Sequence, residues 1–304
     1  MGMDLYKKCS LCPRNCGVDR TAGNRGYCGE DSVPRVARAA LHYWEEPCIS
    51  GKNGSGTVFF CGCSLKCVYC QNYCIAKGEV KGKPVDSQRL CQIYFELKEK
   101  GAHNINLVTA THFTPHVVES VKLAKSRGLD IPIVYNTSGY ETVENIKRLD
   151  GVVDIYLPDF KYQDTDIAAR YSNAPDYPQI ALNAIKEMVK QTGKPVIEDG
   201  IMKKGVIVRH LVLPGHIKAS KSAIEAIYNS FGDDVYISIM KQYTPMQHIM
   251  SFGDDFRSLK RTLTRGEYKS VVDHAAKLGV VNGFVQYGDN AKESFIPAFD
   301  CEGV

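Results

Sequence analysis

A chain of 304 residues can form one large domain or two modest ones. Hydrophobic residues make up 44% of it and charged residues 24%, an ordinary globular composition that excludes disorder, collagen-like repeats and coiled coil. The net charge of +4 is too small to indicate a nucleic-acid or membrane partner. No apolar run approaches the roughly 20 residues of a membrane span, and residues 1–8 hold no signal peptide. The sequence therefore predicts a soluble, cytoplasmic protein.

The first 50 residues form a cysteine-rich segment. They carry Cys9, Cys12, Cys16, Cys28 and Cys48 among glycine, proline and arginine residues, with little hydrophobic periodicity. Such a segment has too little apolar surface to build a core, so we expect it to need a bound metal to fold. The change of pattern that follows predicts two regions, residues 1–50 and residues 51–304.

From about residue 55, short β-branched runs alternate with helical patterns. The six predicted strands are Thr57–Cys61, Asn104–Thr109, Ile131–Asn136, Val152–Leu157, Val206–Val212 and Val235–Met240. Three helix starts are also predicted: a cap at Asp86 or Ser87, a proline start at Pro115, and a capping box from Thr264 to Glu267. Six strand–helix alternations imply a parallel sheet, and their even spacing favours a barrel or part of one. Residues 242–262 and 281–304 are left unassigned.

Cysteine is the unusual component of the composition. Nine of the twelve cysteines lie within the first 70 residues. A chain without a signal peptide is the wrong setting for a disulfide scaffold, and clustered cysteines in a reducing compartment usually bind metal.

One cysteine group directly follows the first predicted strand, in the form C-x3-C-x2-C. Its members Cys63, Cys67 and Cys70 can bind three corners of an iron–sulfur cube. Clusters that only carry electrons normally have four cysteine ligands, so three ligands leave one iron open for a substrate or cofactor. Zinc is the alternative, because Cys61 or Cys74 could supply a fourth ligand and make a closed structural site.

A second cysteine group lies near the amino terminus. Cys9, Cys12, Cys16 and Cys28 supply four thiolates, enough to close a metal site. Four ligands with no open position indicate either structural zinc or an auxiliary iron–sulfur cluster, and the sequence leaves both open.

The chain resembles the radical S-adenosylmethionine (SAM) superfamily, whose signature is C-x3-C-x-aromatic-C after the first barrel strand; the aromatic residue here is Tyr69. It is similar in particular to the iron–sulfur proteins homologous to the pyruvate formate-lyase activating enzyme. The segments that carry the likeness are Cys12-Pro-Arg-Asn-Cys16, Gly26-Tyr-Cys28-Gly-Glu30, Trp44-Glu-Glu-Pro-Cys48-Ile-Ser-Gly51, Gly54-Ser-Gly-Thr-Val-Phe-Phe60, Cys67-Val-Tyr-Cys-Gln-Asn72, Tyr135-Asn-Thr-Ser-Gly-Tyr140 and Gly283-Phe-Val-Gln286. They cover nearly the whole chain.

The resemblance implies an α/β fold, a partial (β/α)6 radical SAM barrel, preceded by the cysteine-rich segment. It also implies a [4Fe–4S] cluster on Cys63, Cys67 and Cys70, with SAM bound to the fourth iron. A low-potential electron donor such as flavodoxin or ferredoxin is then the expected partner for reduction.

The carboxyl ends of the strands are where barrels of this kind have their active sites. The residues that we expect there beside SAM are Tyr69, Thr109, Thr111, Asn136, Thr137, Ser138, Asp159, Lys161 and Arg209. Lys241, Gln242 and Tyr243 follow the sixth strand and are expected to face the substrate. Competing interpretations are a core histidine for His112, an exposed ion pair for Asp159 with Lys161, and a structural ion pair for Arg209.

The activity that the resemblance implies is reductive cleavage of SAM to a 5′-deoxyadenosyl radical, which abstracts hydrogen from a substrate. A glycyl-radical-enzyme activase is the first hypothesis, with a partner protein as substrate. The alternatives are a radical SAM enzyme that modifies a small molecule or RNA, and a non-catalytic iron–sulfur or zinc protein.

Overall fold

A computed structural model describes residues 2–288 and 296–304. The strands of this part of the chain are β1 (Arg35–His42), β2 (Ser55–Phe60), β3 (Lys83–Pro84), β4 (Ile105–Val108), β5 (Ile133–Thr137), β6 (Ile155–Pro158), β7 (Val196–Glu198), β8 (Ile201–Leu211), β9 (Tyr236–Met240) and β10 (Gly283–Val285). The α-helices are α1 (Pro47–Ser50), α2 (Tyr73–Ala76), α3 (Ser87–Glu99), α4 (Thr114–Ser126), α5 (Val143–Lys147), α6 (Thr165–Ser172), α7 (Tyr177–Thr192), α8 (Ile217–Phe231) and α9 (Arg265–Leu278). Short 3-10 helices cover Met3–Tyr6, Thr111–Phe113, Gly232–Asp234, Gln247–Ser251 and Asp254–Lys260.

The strands form an open sheet in the order β10-β9-β8-β6-β5-β4-β2-β1-β3, with β7 paired to β8. From β2 to β10 the neighbours in this order are parallel, whereas β1 runs antiparallel to β2 and to β3. Helices connect the parallel strands, as a parallel crossover requires. The partial barrel predicted from the sequence is confirmed.

All six predicted strands are present, at β2, β4, β5, β6, β8 and β9, with ends that differ by a few residues. The structure adds β10 as a seventh parallel strand, in the stretch that was left unassigned. Three residues bounded by Gly283 are too short for a clear hydrophobic pattern, and their pairing with β9 makes them a strand.

The predicted starts of α3 and α9 are confirmed by side-chain caps, and α4 begins at Thr114, one residue before the predicted start. The Asp86 side chain accepts the backbone N–H of Arg89 at 2.7 Å at the start of α3. Thr264 and Glu267 form the reciprocal capping box of α9, and Pro115 occupies the first turn of α4. These helices cover the outer face of the sheet with their apolar stripes. Four side chains of the α3 stripe are at most 1% exposed: Leu90, Ile93, Tyr94 and Leu97.

The inner face of the sheet is filled at its base by α1. Cys48 and Ile49 pack against Val134, Ile155 and Ile207 from three parallel strands. Burial of apolar side chains contributes roughly 1.5–3 kcal/mol for each large one. Because α1 fills the interior away from the carboxyl ends of the strands, space remains at those ends.

Residues 296–304 run along β1. Cys301 donates its N–H to the Ala37 carbonyl at 2.9 Å, and Ala39 donates to the Glu302 carbonyl at 2.8 Å. Phe299 packs edge-on against Phe59, with ring centroids 5.3 Å apart. This accounts for the last part of the unassigned stretch 281–304, of which residues 289–295 lie outside the described residues.

Strand β1 lies within residues 1–50 and pairs with β2, so that part of the cysteine-rich region belongs to the sheet. Whether residues 1–50 depend on a metal for folding stays a prediction. In the described part of the chain, no helix has the length and apolar character needed to span a membrane.

Candidate active site at the carboxyl ends of the strands

A cavity of about 300 Å³ opens where the parallel strands end. Its walls come from the cysteine loop after β2 and from polar residues that follow each further strand. The residues predicted from the sequence that line it are Cys63, Cys67, Tyr69, Cys70, Thr109, Asn136, Thr137, Ser138, Asp159, Lys161, Arg209, Gln242 and Tyr243. The fold therefore brings most of the predicted site residues to one place.

The cysteine loop turns sharply at Gly62, which has a φ of 80°. A Cβ atom there would lie 2.9 Å from the Cys28 carbonyl oxygen, so the turn needs glycine. Cys63 donates its N–H to that same carbonyl at 3.1 Å. The backbone N–H groups of Leu65 and Lys66 lie 3.4 and 3.5 Å from the Cys63 sulfur. Amide donors around a cysteine sulfur are among the features that tune iron–sulfur clusters, so the loop fits such a cluster.

Cys67 also has a donor to its sulfur. The Ser172 hydroxyl donates to Cys67 Sγ at 3.0 Å. The Tyr162 hydroxyl lies 2.8 Å from both Ser172 Oγ and the Tyr69 hydroxyl, which ties the predicted aromatic residue to the same network. Burial raises the pKa of the Cys67 thiol. Without a metal this thiol stays protonated at neutral pH, and a bound iron would supply the charge that stabilises the thiolate.

Asp159 lies between two cations on the cavity wall. Its carboxylate oxygens are 2.6 Å from Lys161 Nζ and 3.1 Å from Arg209 Nε. The side chains of Asp159, Lys161 and Arg209 are 17%, 15% and 11% exposed, so the interpretation as an exposed surface pair is wrong. Burial alone would raise the pKa of Asp159, but Lys161 and Arg209 outweigh it and hold the pKa below its usual value.

Glu45 completes this charged set and was missed at the sequence level. One of its oxygens pairs with Arg209 Nη1 at 3.1 Å. The other accepts the side-chain amides of Asn106 and Asn136 at 3.0 and 3.3 Å. Glu45 lies in a segment that carries the family resemblance. It is on a loop before α1, however, and no local sequence pattern predicts that a loop residue contacts side chains of β4, β5 and β8.

Thr109 has an unusual backbone conformation. It follows β4 with a φ of 60°, in the left-handed region that β-branched residues rarely adopt. Its N–H is held by the Asn136 carbonyl at 2.9 Å. The backbone at Thr109 therefore adopts a conformation that favours glycine.

Thr111 and Thr137 share a buried partner, Glu141. Their hydroxyls donate to Glu141 Oε1 at 2.5 and 2.6 Å. Thr137 also lines the cavity, whereas Thr111 lies outside its described lining. Burial raises the pKa of Glu141 even though several donors oppose it. Thr111 thus donates its hydroxyl to Glu141 and is not among the residues that line the cavity.

The end of β9 contributes Gln242 and Tyr243 to the lining, together with Gln286 just after β10. Gln286 donates from its side-chain amide to Gln242 Oε1 at 2.7 Å and accepts the Lys241 N–H at 2.7 Å. Lys241 itself lies outside the described lining, so two of the three residues expected to face the substrate line the cavity, and their contact with a substrate stays a prediction. Gln286 is a further lining residue that the closing motif could have indicated.

His112 is buried, and its Nε2 lies 2.7 Å from the Cys61 carbonyl oxygen. Burial lowers its pKa to about 3, so the ring is neutral at pH 7. This agrees with the core-histidine interpretation. Among the described cysteines, Cys61 and Cys74 also lie outside the cavity lining, where they pack together in a small apolar cluster.

The amino-terminal cysteines lie beside the cysteine loop, not in the cavity. Cys9, Cys12 and Cys28 are buried and Cys16 is partly exposed. In the described residues, no three histidine, cysteine or acidic side chains converge on the position of a single metal ion. The same holds for Cys63, Cys67 and Cys70, as expected for cluster ligands, because the cysteines of an iron–sulfur cube bind different irons.

Comparison with known proteins identifies the family. Residues 57–219, which are 163 of the 304 residues, match the model of the radical SAM superfamily. The chain belongs to this superfamily, so it is a radical SAM enzyme whose cofactors are a [4Fe–4S] cluster and SAM. It is also 29% identical over 280 residues to an uncharacterized protein of Methanocaldococcus jannaschii, covering 90% of this chain and 76% of that one.

Two solved structures are similar to this chain at low sequence identity. The [FeFe]-hydrogenase maturase HydG matches with a TM-score of 0.50 and 16% identity, over 73% of this chain and 48% of HydG. A domain of the pyruvate-formate lyase-activating enzyme from Bacteroides vulgatus matches with a TM-score of 0.38 and 11% identity, over 57% of this chain and 91% of that domain. The first likeness concerns the fold alone, and the second is too distant to say anything about activity.

Proposed function

We propose that this protein is an activating enzyme that removes a hydrogen atom from the Cα of a glycine in a partner protein. The observation that carries this proposal is a small cavity, of about 300 Å³, whose rim presents an exposed aromatic residue. The residues that would hold the cofactors are considered first, because the proposal depends on them.

Cys63, Cys67 and Cys70 would hold the [4Fe–4S] cluster. They line one cavity, and donors already lie beside two of the three sulfurs, from the backbone at Cys63 and from Ser172 at Cys67. Three ligands leave one iron open to SAM. When bound and reduced, the cluster supplies the electron for cleavage of SAM to the 5′-deoxyadenosyl radical.

The charged set at the strand ends would hold the amino-acid part of SAM. Lys161 and Arg209 offer donors suited to its carboxylate. Asp159 and Glu45 offer acceptors suited to its ammonium group, and they keep both cations in position. Thr109, Ser138 and Gln242 provide polar atoms along the same lining for the rest of the cofactor.

The size and rim of the cavity support a protein substrate. A volume of about 300 Å³ is at the lower end of the range, roughly 300–1,000 Å³, for sites that enclose one small ligand. With the cluster and SAM both bound at this site, we infer that the substrate reaches them from the open side of the cavity. Trp44 lines the cavity and is 57% exposed, and its neighbour Tyr43 is 51% exposed. Exposed tryptophan and tyrosine are typical contacts for a protein segment.

The test uses the anaerobic protein with SAM, a one-electron reductant and a glycyl radical enzyme encoded in the same genome, labelled with glycine deuterated at Cα. We expect a glycyl radical in the electron paramagnetic resonance (EPR) spectrum of the partner, and deuterium in the 5′-deoxyadenosine product. The variant with Cys63, Cys67 and Cys70 all replaced by Ala should give neither signal. Formation of undeuterated 5′-deoxyadenosine, with no radical on the partner, would overturn the activase assignment and favour a small-molecule or RNA substrate.

A further inference from the structure

The amino-terminal cysteines are brought together by a tight turn. Cys9 donates its N–H to the Val18 carbonyl at 3.1 Å, and Gly17 donates back to the Cys9 carbonyl at 3.0 Å. Across the site, a Cβ atom on Gly26 would lie 3.2 Å from Cys16 Sγ and 3.5 Å from Cys28 Sγ. Cys16 Sγ and Cys28 Sγ therefore border the same small region. This region lies outside the cavity of the radical SAM site.

A buried arginine borders this region. Arg20 is 0% exposed, and its Nη1 lies 3.7 Å from Cys9 Sγ and 2.7 Å from the His112 carbonyl oxygen. Its other donors bind the carbonyl oxygens of Glu30 and Asp31. In the part of the chain that the structure describes, no carboxylate forms an ion pair with Arg20. Arg20 lies over the Tyr6 ring at 4.7 Å, which stabilises part of its charge. A buried cation without an anion is still costly, so negative charge on the neighbouring sulfurs would stabilise Arg20 further.

We propose that Cys9, Cys12, Cys16 and Cys28 bind a second iron–sulfur cluster, whose negative charge Arg20 balances. Thiolates bound to a metal supply that charge without an acidic side chain. Four cysteine thiolates are the usual ligand set of a cluster that does not bind substrate, and the iron, sulfide and zinc content of the protein distinguishes it from tetrahedral zinc. Four cysteine ligands leave no open iron, so this cluster does not bind SAM.

The second cluster would lie next to the first. The Cys28 carbonyl accepts the N–H of Cys63 at 3.1 Å, so a ligand of one cluster is hydrogen-bonded to a ligand of the other. The closeness of the two loops is enforced at Gly62, where a Cβ would lie 2.6 Å from Glu30 Cγ. This adjacency rests on the assignment of the first cluster to Cys63, Cys67 and Cys70.

The experiment starts from the full chain with Cys63, Cys67 and Cys70 replaced by Ala. We expect it to retain part of the wild-type iron and sulfide, with an EPR signal after reduction that added SAM does not change. Zinc in place of the iron, or complete loss of iron from a folded variant, would overturn the second cluster. Retention of all the iron would instead overturn the assignment of the first cluster, so the two failures are distinguishable.

Arg20 gives a second measurement that keeps the cysteines. In the same background, Arg20→Met removes the cation beside Cys9, whereas Arg20→Lys retains a positive charge. We expect Arg20→Met to disfavour one-electron reduction of the remaining cluster at least tenfold, a fall of about 59 mV in its midpoint potential, and Arg20→Lys to change it less. A potential that is the same in Arg20→Met as in the parent would refute the role of Arg20 as the balancing charge.

Discussion

Replacing Asp159 by Asn tests the charged set most directly. The substitution keeps the shape of the side chain and removes its charge. Lys161 then loses its carboxylate partner at 2.6 Å. Arg209 keeps one carboxylate contact among the described residues, with Glu45 at 3.1 Å. We expect loss of stability because two enclosed cations then face each other with less compensation.

The magnitude follows from the enclosure of the three side chains, which are 11–17% exposed. Removing one partner of a fully buried pair costs about 3–5 kcal/mol. Since Arg209 keeps Glu45 and the cavity admits some water, we expect about 2–3 kcal/mol here. The matched control is Asp273→Asn on α9, whose partner Lys269 is at 2.5 Å with side chains 49% and 74% exposed. An exposed helical pair of this kind contributes at most about 0.5 kcal/mol.

The assay is anaerobic urea unfolding of both variants and the wild type, together with calorimetric titration of SAM. The pKa of Asp159 is lower in the folded protein than in the unfolded chain. Its contribution to the free energy of unfolding is therefore fully present above the unfolded pKa of about 3.9. That contribution is lost only as the pH falls through the folded pKa. The difference in unfolding free energy should therefore stay constant from pH 8 to pH 5. SAM affinity should fall at least tenfold, about 1.4 kcal/mol. An Asp159→Asn protein that unfolds like Asp273→Asn and binds SAM like the wild type would refute the reasoning.

Substitutions at three further residues test single features of the structure. Thr109→Gly should raise the free energy of unfolding by up to about 1 kcal/mol, because glycine adopts the left-handed conformation without strain. Thr109→Ala should bring no such gain. Equal stability of the two variants in urea unfolding would contradict the proposal that Thr109 is strained. Burial lowers the pKa of His210 to about 4, so the unfolded chain takes up a proton at this residue before the folded one does. The free energy of unfolding therefore falls as the pH falls from about 6.5 toward 4, by up to about 1.4 kcal/mol per pH unit. His210→Asn should reduce that slope in urea unfolding between pH 7.5 and 4.5, and an unchanged slope would assign it to another group. Ser172→Ala removes the donor to Cys67 Sγ and should lower the midpoint potential of the SAM-binding cluster in an EPR redox titration at unchanged iron content; an unaltered potential would show that the bond does not reach the cluster.

Local patterns account for the elements that the sequence predicted correctly. Strands β2, β4, β5, β6, β8 and β9 are continuous apolar or β-branched runs, because a parallel sheet is covered on both faces. The starts of α3, α4 and α9 depend on a cap or a proline within a few residues, so they can be identified without tertiary information. The cysteine loop is equally local, since its three ligands lie within eight positions of the chain.

The sequence by itself thus determined the parallel α/β architecture, the family resemblance and the likeness of residues at the strand ends to a SAM site. Tertiary structure decided which side chains meet there. Glu45 reaches Arg209 across 164 positions of the chain, and Thr111 gives its hydroxyl to Glu141 although it follows the same strand as Thr109. The contact between Cys28 and Cys63 likewise joins two loops that share no sequence pattern. The physical reason is that a side chain at the end of a strand is directed by the curvature of the sheet and by its hydrogen-bond partners. Those partners come from distant segments, whose arrival a local pattern does not encode.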